Sequence, residues 1–119
     1  DKTYLSQLKL ISRLHEKGVM ILAGSDFAGM PYVYPGISLH QELKLLTKAG
    51  LSNYEALKTA TINPAIFMNK QNIYGSVEVE KYADLLILEK NPFDNIENLK
   101  TTTFVIVKGK IFKVQNNKS

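Results

Sequence analysis

The sequence contains no cysteine, no tryptophan and only one arginine, Arg13, among its 119 residues. Without cysteine, the chain can form neither a disulfide nor a thiolate metal site, and it carries no cysteine nucleophile. No apolar run approaches the roughly 18 residues that a membrane-spanning helix needs, and no basic start followed by an apolar stretch indicates a signal peptide. The sequence therefore predicts no membrane partner, and it leaves the compartment, cytoplasmic or periplasmic, open.

The net charge of +4 comes almost entirely from lysines. Those near the end of the chain are spread among apolar residues and asparagines: Lys100, Lys108, Lys110, Lys113 and Lys118. A nucleic-acid surface would need such charges on one face, with arginines or aromatic residues among them. The charge pattern therefore argues against nucleic acid as a partner.

The first part of the chain shows helical spacing and then a buried strand. Apolar residues recur at helical spacing up to Gly18, which is a typical helix stop. The run VMILA, residues 19–23, is apolar on both faces, as in a central strand of a parallel sheet. A loop rich in glycine and proline follows over residues 24–37. The pattern predicts one helix, one parallel strand and a long loop.

Three further helices are predicted after this loop. Ser38 with Gln41, and Ser52 with Glu55, have the spacing of capping boxes, which predicts that a helix begins after each serine. Residues 63–69 favour a short helix with its proline in the first turn.

Beyond about residue 73 the apolar pattern becomes that of β-strands. Residues 76–80 alternate, and residues 83–89 form an apolar run typical of a buried strand. Residues 103–114 contain two β runs around Lys108-Gly109, which indicates a hairpin. The second part of the chain is therefore expected to form an antiparallel cap.

A single acid, Asp26, follows Gly24-Ser25 at the end of the predicted strand. In parallel α/β folds the catalytic groups collect at the carboxyl ends of the strands, where loops bring side chains together. The alternative is an aspartate that bonds backbone amides in a glycine-rich turn. Position alone leaves these two interpretations equal.

Five motifs in order resemble the C-terminal part of the metal-dependent amidohydrolases: AGSD, PGISLHQEL, AGLSNYEALKTATINPA, GSVEVEKYADLLILEKNPFDNI and VIVKGKIF. The resemblance covers about residues 5–113 and is nearest to the imidazolonepropionase-like and prolidase-like dipeptidase branch. It implies a (β/α)8 barrel with a small β-sandwich built from both chain ends. A complete barrel needs roughly 200 residues or more, so the chain is expected to be a fragment of the full α/β fold. Residues 1–72 would be the last barrel unit and residues 73–119 the C-terminal sandwich strands.

The resemblance also implies a catalytic and metal-binding role for Asp26. The last barrel strand of the family ends in an aspartate that binds or faces a divalent metal ion and takes a proton from the hydrolytic water. Zinc, as one or two ions, is the expected cofactor. The family's His-x-His pair is missing here, since the chain holds only His15 and His40. A zinc site needs three or four protein ligands, so we expect the other ligands in the upstream remainder of the same polypeptide.

His40, Tyr32 and Tyr34 are the candidate substrate-binding residues. His40 falls in the first turn of the second predicted helix, where the helix dipole would help to orient an anionic group. A solvated or loop-packing histidine is the alternative there. Tyr32 and Tyr34 lie in the loop after Asp26, and such loops set specificity in barrels. Packing of these rings onto the barrel rim is an equal alternative, and His15 is expected only on the flank of the first helix.

The resemblance thus implies a hydrolase that cleaves a C–N bond in a small-molecule amide, dipeptide or cyclic amide by metal-activated water. The 119 residues alone are expected to be inactive. The alternative is a non-catalytic interaction or scaffold module that retains the C-terminal half of the fold. A fragment should expose the apolar flanks of residues 19–23 and associate, whereas a module should be a soluble monomer or a defined dimer. The substrate, the metal count and a homo-oligomeric state stay open.

Overall fold

A computed structural model describes residues 1–26, 34 and 36–115 of the chain. In these residues, four α-helices precede a β-sheet; the four helices and the later strands follow the predicted order, without the strand predicted between the first two helices. The helices are α1 (Lys2–Glu16), α2 (Ile37–Lys48), α3 (Asn53–Thr59) and α4 (Ile62–Phe67). The strands are β1 (Leu85–Leu88), β2 (Thr102–Val107) and β3 (Lys110–Lys113), and a 3-10 helix, η1 (Ile96–Thr101), precedes β2. None of the helices in this described part is long and apolar enough to cross a bilayer.

Side-chain caps define the starts of α1 and α3. The Asp1 carboxylate accepts the Thr3 N–H at 3.1 Å. At α3 the predicted capping box is confirmed: the Glu55 N–H donates to the Ser52 hydroxyl at 3.2 Å, and the Glu55 carboxylate accepts the Ser52 N–H at 2.8 Å. These bonds satisfy N–H groups that the first turn of a helix leaves without an intrahelical partner.

The capping box predicted for α2 is wrong. The helix begins at Ile37, and the residue before it is Gly36, whose φ of +74° favours glycine. Ser38 is buried in the first turn instead of capping it, because its hydroxyl accepts the Tyr34 N–H at 2.7 Å. The serine therefore ties the incoming chain to the helix.

The three strands form one antiparallel sheet in the order β1-β2-β3. The predicted hairpin between β2 and β3 is confirmed, and both turn residues, Lys108 and Gly109, have positive φ. That combination matches the right-handed twist of the two strands. The prediction of a strand over residues 76–80 is wrong, since this segment forms bends and turns. Its Glu78 carboxylate accepts hydrogen bonds from the Ser76 hydroxyl and the Lys81 ammonium group.

One apolar cluster joins the helices to the second part of the chain. Its buried members come from α2, α3, η1 and the α2–α3 connection: Leu43, Leu46, Leu51, Ala56, Ile96 and Leu99. The partly buried side chains of Ile21 and Ala23 pack against this cluster. The core thereby fixes the segment that leads to Asp26.

Residues 19–23 do not form the predicted strand. A strand exists only where a neighbour completes its hydrogen-bond ladder, and within the described residues no strand lies beside this segment. Its exposed residues are apolar: Val19 and Met20 are each 47% exposed, and Leu22 is 38% exposed. The segment therefore has one face against the helices and one face without cover from the described chain.

Candidate functional site

The segment that leads to Asp26 is anchored by two helices. The Asn63 side chain, in α4, donates to the Ile21 carbonyl at 3.0 Å. The Thr59 carbonyl, at the end of α3, accepts the Ala23 N–H at 2.9 Å. These bonds fix the backbone up to three residues before Asp26.

Side chains in this segment alternate between two environments, as in extended backbone. Ile21 and Ala23 pack against the core, whereas Met20 and Leu22 are exposed. Asp26 follows with an exposed side chain and a φ of +49°, a left-handed conformation that aspartate adopts more readily than most residues. The backbone thus turns at Asp26 and leaves its carboxylate accessible.

Glu42 is a residue at this site that the sequence interpretation missed. It is half-buried on α2, and burial raises the pKa of its carboxyl above the ordinary value, while the bond from the Gly24 N–H opposes that rise. The signal in the sequence is its place one turn before the core residue Leu46, on a helix that packs beside the segment. Such a position brings a polar side chain to the edge of a core.

His40 and Tyr34 lie at the start of α2, and no described hydrogen bond or ion pair joins either of them to Asp26. His40 is partly buried and lines a cleft of about 540 Å³ with Lys44, Glu97 and Lys100. Tyr34 is 56% exposed. Tyr32, the other candidate, lies outside the described residues. Substrate binding by these three residues stays a prediction.

His15 pairs with the helix α3. Its Nε2 atom lies 3.0 Å from the Glu55 Oε1 atom, and both side chains are about one-third exposed. The pKa of Glu55 is lowered chiefly by the hydrogen bonds from Ser52, to which His15 adds a smaller contribution. His15 therefore stabilises the contact between α1 and α3.

Asp26 offers a suitable metal ligand but not a complete site. A carboxylate is an accepted zinc ligand, and that of Asp26 is exposed. Nowhere in residues 1–26, 34 and 36–115 do three or more histidine, cysteine or acidic side chains come together as a metal site. The chain therefore fits a divalent ion in the type of donor, whereas a complete site needs further ligands.

Comparison with known proteins points to one enzyme family. The model of the family described as "Amidohydrolase family" matches residues 6–112. The "Probable imidazolonepropionase" of Homo sapiens is 30% identical over 105 residues, a match that covers 83% of this chain and 24% of the human protein. The chain thus spans about a quarter of the length of the curated relatives that it matches.

Solved structures give the same result. A candidate prolidase from Bifidobacterium longum is 40% identical, with a TM-score of 0.78 over 86% of this chain and 25% of that chain. A Xaa-Pro dipeptidase with bound methionine in its active site is 28% identical, with a TM-score of 0.78 over 90% of this chain and 25% of that one. The helices and the three-stranded sheet therefore match one region of a much longer fold.

Proposed function

Since the chain belongs to the amidohydrolase family, we propose that it forms the Asp26-bearing part of a metal-dependent hydrolase. The enzyme would cleave a C–N bond, other than an ordinary peptide bond of a protein, in a small-molecule amide, dipeptide or cyclic amide. The observation that carries this proposal is the position of Asp26, an exposed carboxylate at the end of an extended segment anchored by α3 and α4. Family members of the two named types, imidazolonepropionase and prolidase, support the choice of substrate class.

Asp26 would move the proton in this reaction. A divalent ion, with zinc as the expected metal, would make a bound water acidic enough to attack near neutral pH. The carboxylate of Asp26 would stay ionised beside that charge, accept the proton from the attacking water and deliver it to the nitrogen of the leaving amine. One C–O bond forms, and the C–N bond breaks.

The remaining metal ligands would come from residues outside 1–119, in the upstream remainder of the polypeptide. The uncovered apolar face of Met20 and Leu22 supports this proposal, because the rest of a barrel packed against residues 19–23 would bury it. In that arrangement the segment is the last strand of a (β/α)8 barrel and Asp26 stands at its carboxyl end. The 119 residues alone would then be inactive.

His40, Tyr34 and Tyr32 are proposed to line the substrate pocket beside Asp26. His40 and Tyr34 flank the N-terminus of α2, where the helix dipole attracts an anionic group such as a substrate carboxylate. If so, substitution of His40 by alanine should raise KM for an acidic substrate with a smaller change in kcat. An unchanged KM would remove His40 from the pocket.

The experiment uses the complete protein that contains this chain, loaded with zinc. Hydrolysis is measured on a panel of Xaa-Pro dipeptides, simple acyl amides and cyclic amides, for the wild type, Asp26→Asn and the control Asp94→Asn, which changes an exposed turn aspartate. We expect Asp26→Asn to lower kcat about 100-fold or more, as loss of an acid–base group does, and Asp94→Asn to leave it unchanged. Full activity of Asp26→Asn would refute the role of Asp26, and inactivity of the wild type on the whole panel would favour a non-catalytic scaffold.

A further inference from the structure

Asn63 makes a long-range contact that its own helix does not require. It is the second residue of α4, and its side-chain amide donates to the Ile21 carbonyl at 3.0 Å, across 42 residues of sequence. The Asn63 side chain is half-buried, and the contact does not cap α4, because its acceptor lies in the segment before Asp26. The bond therefore serves the segment rather than the helix.

The Ala23 N–H bonds to the same corner between α3 and α4. Its acceptor, the Thr59 carbonyl, belongs to a residue that is only 1% exposed, and the Thr59 hydroxyl is bound to the Ala56 carbonyl at 2.6 Å. Residues two apart in extended backbone present their polar groups on the same edge. The Ile21 carbonyl and the Ala23 N–H are thus two contacts on one edge, both made by the corner between α3 and α4.

These contacts occupy one edge of the segment. The Ala23 N–H is a single donor already bound to the Thr59 carbonyl, so a strand that pairs with the segment in the complete protein cannot take that group. On this edge the position depends on Asn63 and Thr59. Asn63 acts through an uncharged side chain, and its donor can be removed without a change of shape.

We propose that Asn63 is a positioning residue that sets the place of the Asp26 carboxylate by holding the Ile21 carbonyl. The inference rests on the proposed role of Asp26 in hydrolysis. A catalytic group displaced by about 1 Å can lose about 100-fold in rate, so the loss of this bond lowers kcat without a matching change in KM. The contribution of Asn63 acts through backbone geometry, and the residue itself touches no substrate.

The test separates positioning from simple stabilisation. Asn63→Asp keeps the shape and removes the donor, Asn63→Ala removes the side chain, and Asn63→Gln retains the donor on a longer arm. The matched control is Asn53→Ala, since Asn53 also donates from its side chain to a distant carbonyl, that of Phe93 at 2.8 Å, far from Asp26 in sequence. All variants are made in the complete, zinc-loaded protein, beside Asp26→Asn.

Four quantities are measured: kcat, KM, the urea midpoint and the hydrogen-exchange rate of the Ala23 amide. We expect Asn63→Asp and Asn63→Ala to lower kcat about tenfold or more with KM within about threefold, and to speed exchange at Ala23. Asn63→Gln should recover part of the lost kcat. Asn53→Ala should change the midpoint by a similar amount and leave kcat and the Ala23 exchange rate as in the wild type.

The inference is overturned if Asn63→Asp keeps wild-type kcat, or if Asn53→Ala lowers kcat as much for an equal loss of stability. Should Asn63→Asp and Asn63→Ala fail to fold, Asn63→Gln carries the test through the same measurements. The failure of the proposed function is visible separately, because Asp26→Asn would then retain activity. In that case the exchange rate at Ala23 still decides whether Asn63 holds the segment.

Discussion

Substitution of Gly75 by alanine tests how tightly the start of α4 is packed. A Cβ atom at Gly75 would lie 2.8 Å from the Ile62 Cα atom and 3.0 Å from both the Ala65 Cβ atom and the Thr61 carbonyl oxygen. Two of these three atoms are backbone atoms, which cannot rotate away as a flexible side chain would. Gly75 also has a φ of +95°, in a region that L-residues rarely adopt. Steric overlap and backbone strain therefore act together.

The cost can be estimated from these two contributions. A left-handed backbone costs an L-residue about 1–2 kcal/mol. Overpacking adds about 1–3 kcal/mol, so the total loss in the free energy of unfolding is about 2–5 kcal/mol. Gly109→Ala is the matched control, because Gly109 has a φ of +80° and no heavy atom within 4 Å of the added Cβ position. That control should lose only the backbone contribution.

Urea unfolding followed by far-UV circular dichroism measures both variants, since the chain contains no tryptophan for fluorescence. We expect Gly75→Ala to lower the urea midpoint clearly more than Gly109→Ala, at similar m-values. Ile62 directly precedes Asn63, so the same variant should also speed amide exchange at Ala23. Equal losses in the two variants would refute the close packing of Gly75 against α4.

Three other substitutions probe the core, a cap and a buried acid. Leu46→Ala, at a side chain only 3% exposed, should cost about 2–5 kcal/mol by urea unfolding, whereas the exposed Leu10 should tolerate alanine at below about 1 kcal/mol. Ser52→Ala should lower the free energy of unfolding by about 0.5–2 kcal/mol at pH 7. The loss should shrink as the pH falls through the lowered pKa of Glu55, because that carboxylate then loses its charge. A loss that does not change with pH would contradict the charged capping box. Burial raises the pKa of Glu42 above its ordinary value of 4.5. The protonated carboxyl therefore favours folding at pH values below 4.5, and this contribution is lost as the pH rises through the folded-state pKa. Glu42→Gln should therefore raise the urea midpoint at pH 7 and leave it unchanged near pH 3.

Local sequence signals were sufficient for most of the secondary structure. The spacing of Leu5, Leu8 and Ile11, with a stop at Gly18, predicted α1, and the Lys108-Gly109 dipeptide predicted the β2–β3 hairpin. These features depend on contacts within a few residues. The α2 capping box failed because the Ser38 hydroxyl binds the Tyr34 N–H, a competing acceptor role that the spacing of Ser38 and Gln41 does not reveal.

The candidate site was predictable only in part, since it depends on distant contacts. Asp26 stands out in the sequence because it follows an apolar run, a signal that lies in neighbouring residues. The apolar composition of residues 19–23 predicts a strand, but strand pairing requires a neighbour that no local pattern supplies. Asn63 contacts Ile21 from 42 residues further along the chain, and Glu42 lies on α2 beside Gly24. Their roles are visible only once the helices are packed.

The most direct test is the zinc content of the isolated 119-residue chain and of the complete protein that contains it, each beside its Asp26→Asn variant. We expect the isolated chain to hold well below one zinc ion per molecule in both forms, because one carboxylate cannot retain the ion against water. The complete protein should hold at least one ion, with weaker retention in Asp26→Asn. Stoichiometric zinc on the isolated chain, or zinc retention in the complete protein that Asp26→Asn leaves unchanged, would contradict the proposed site.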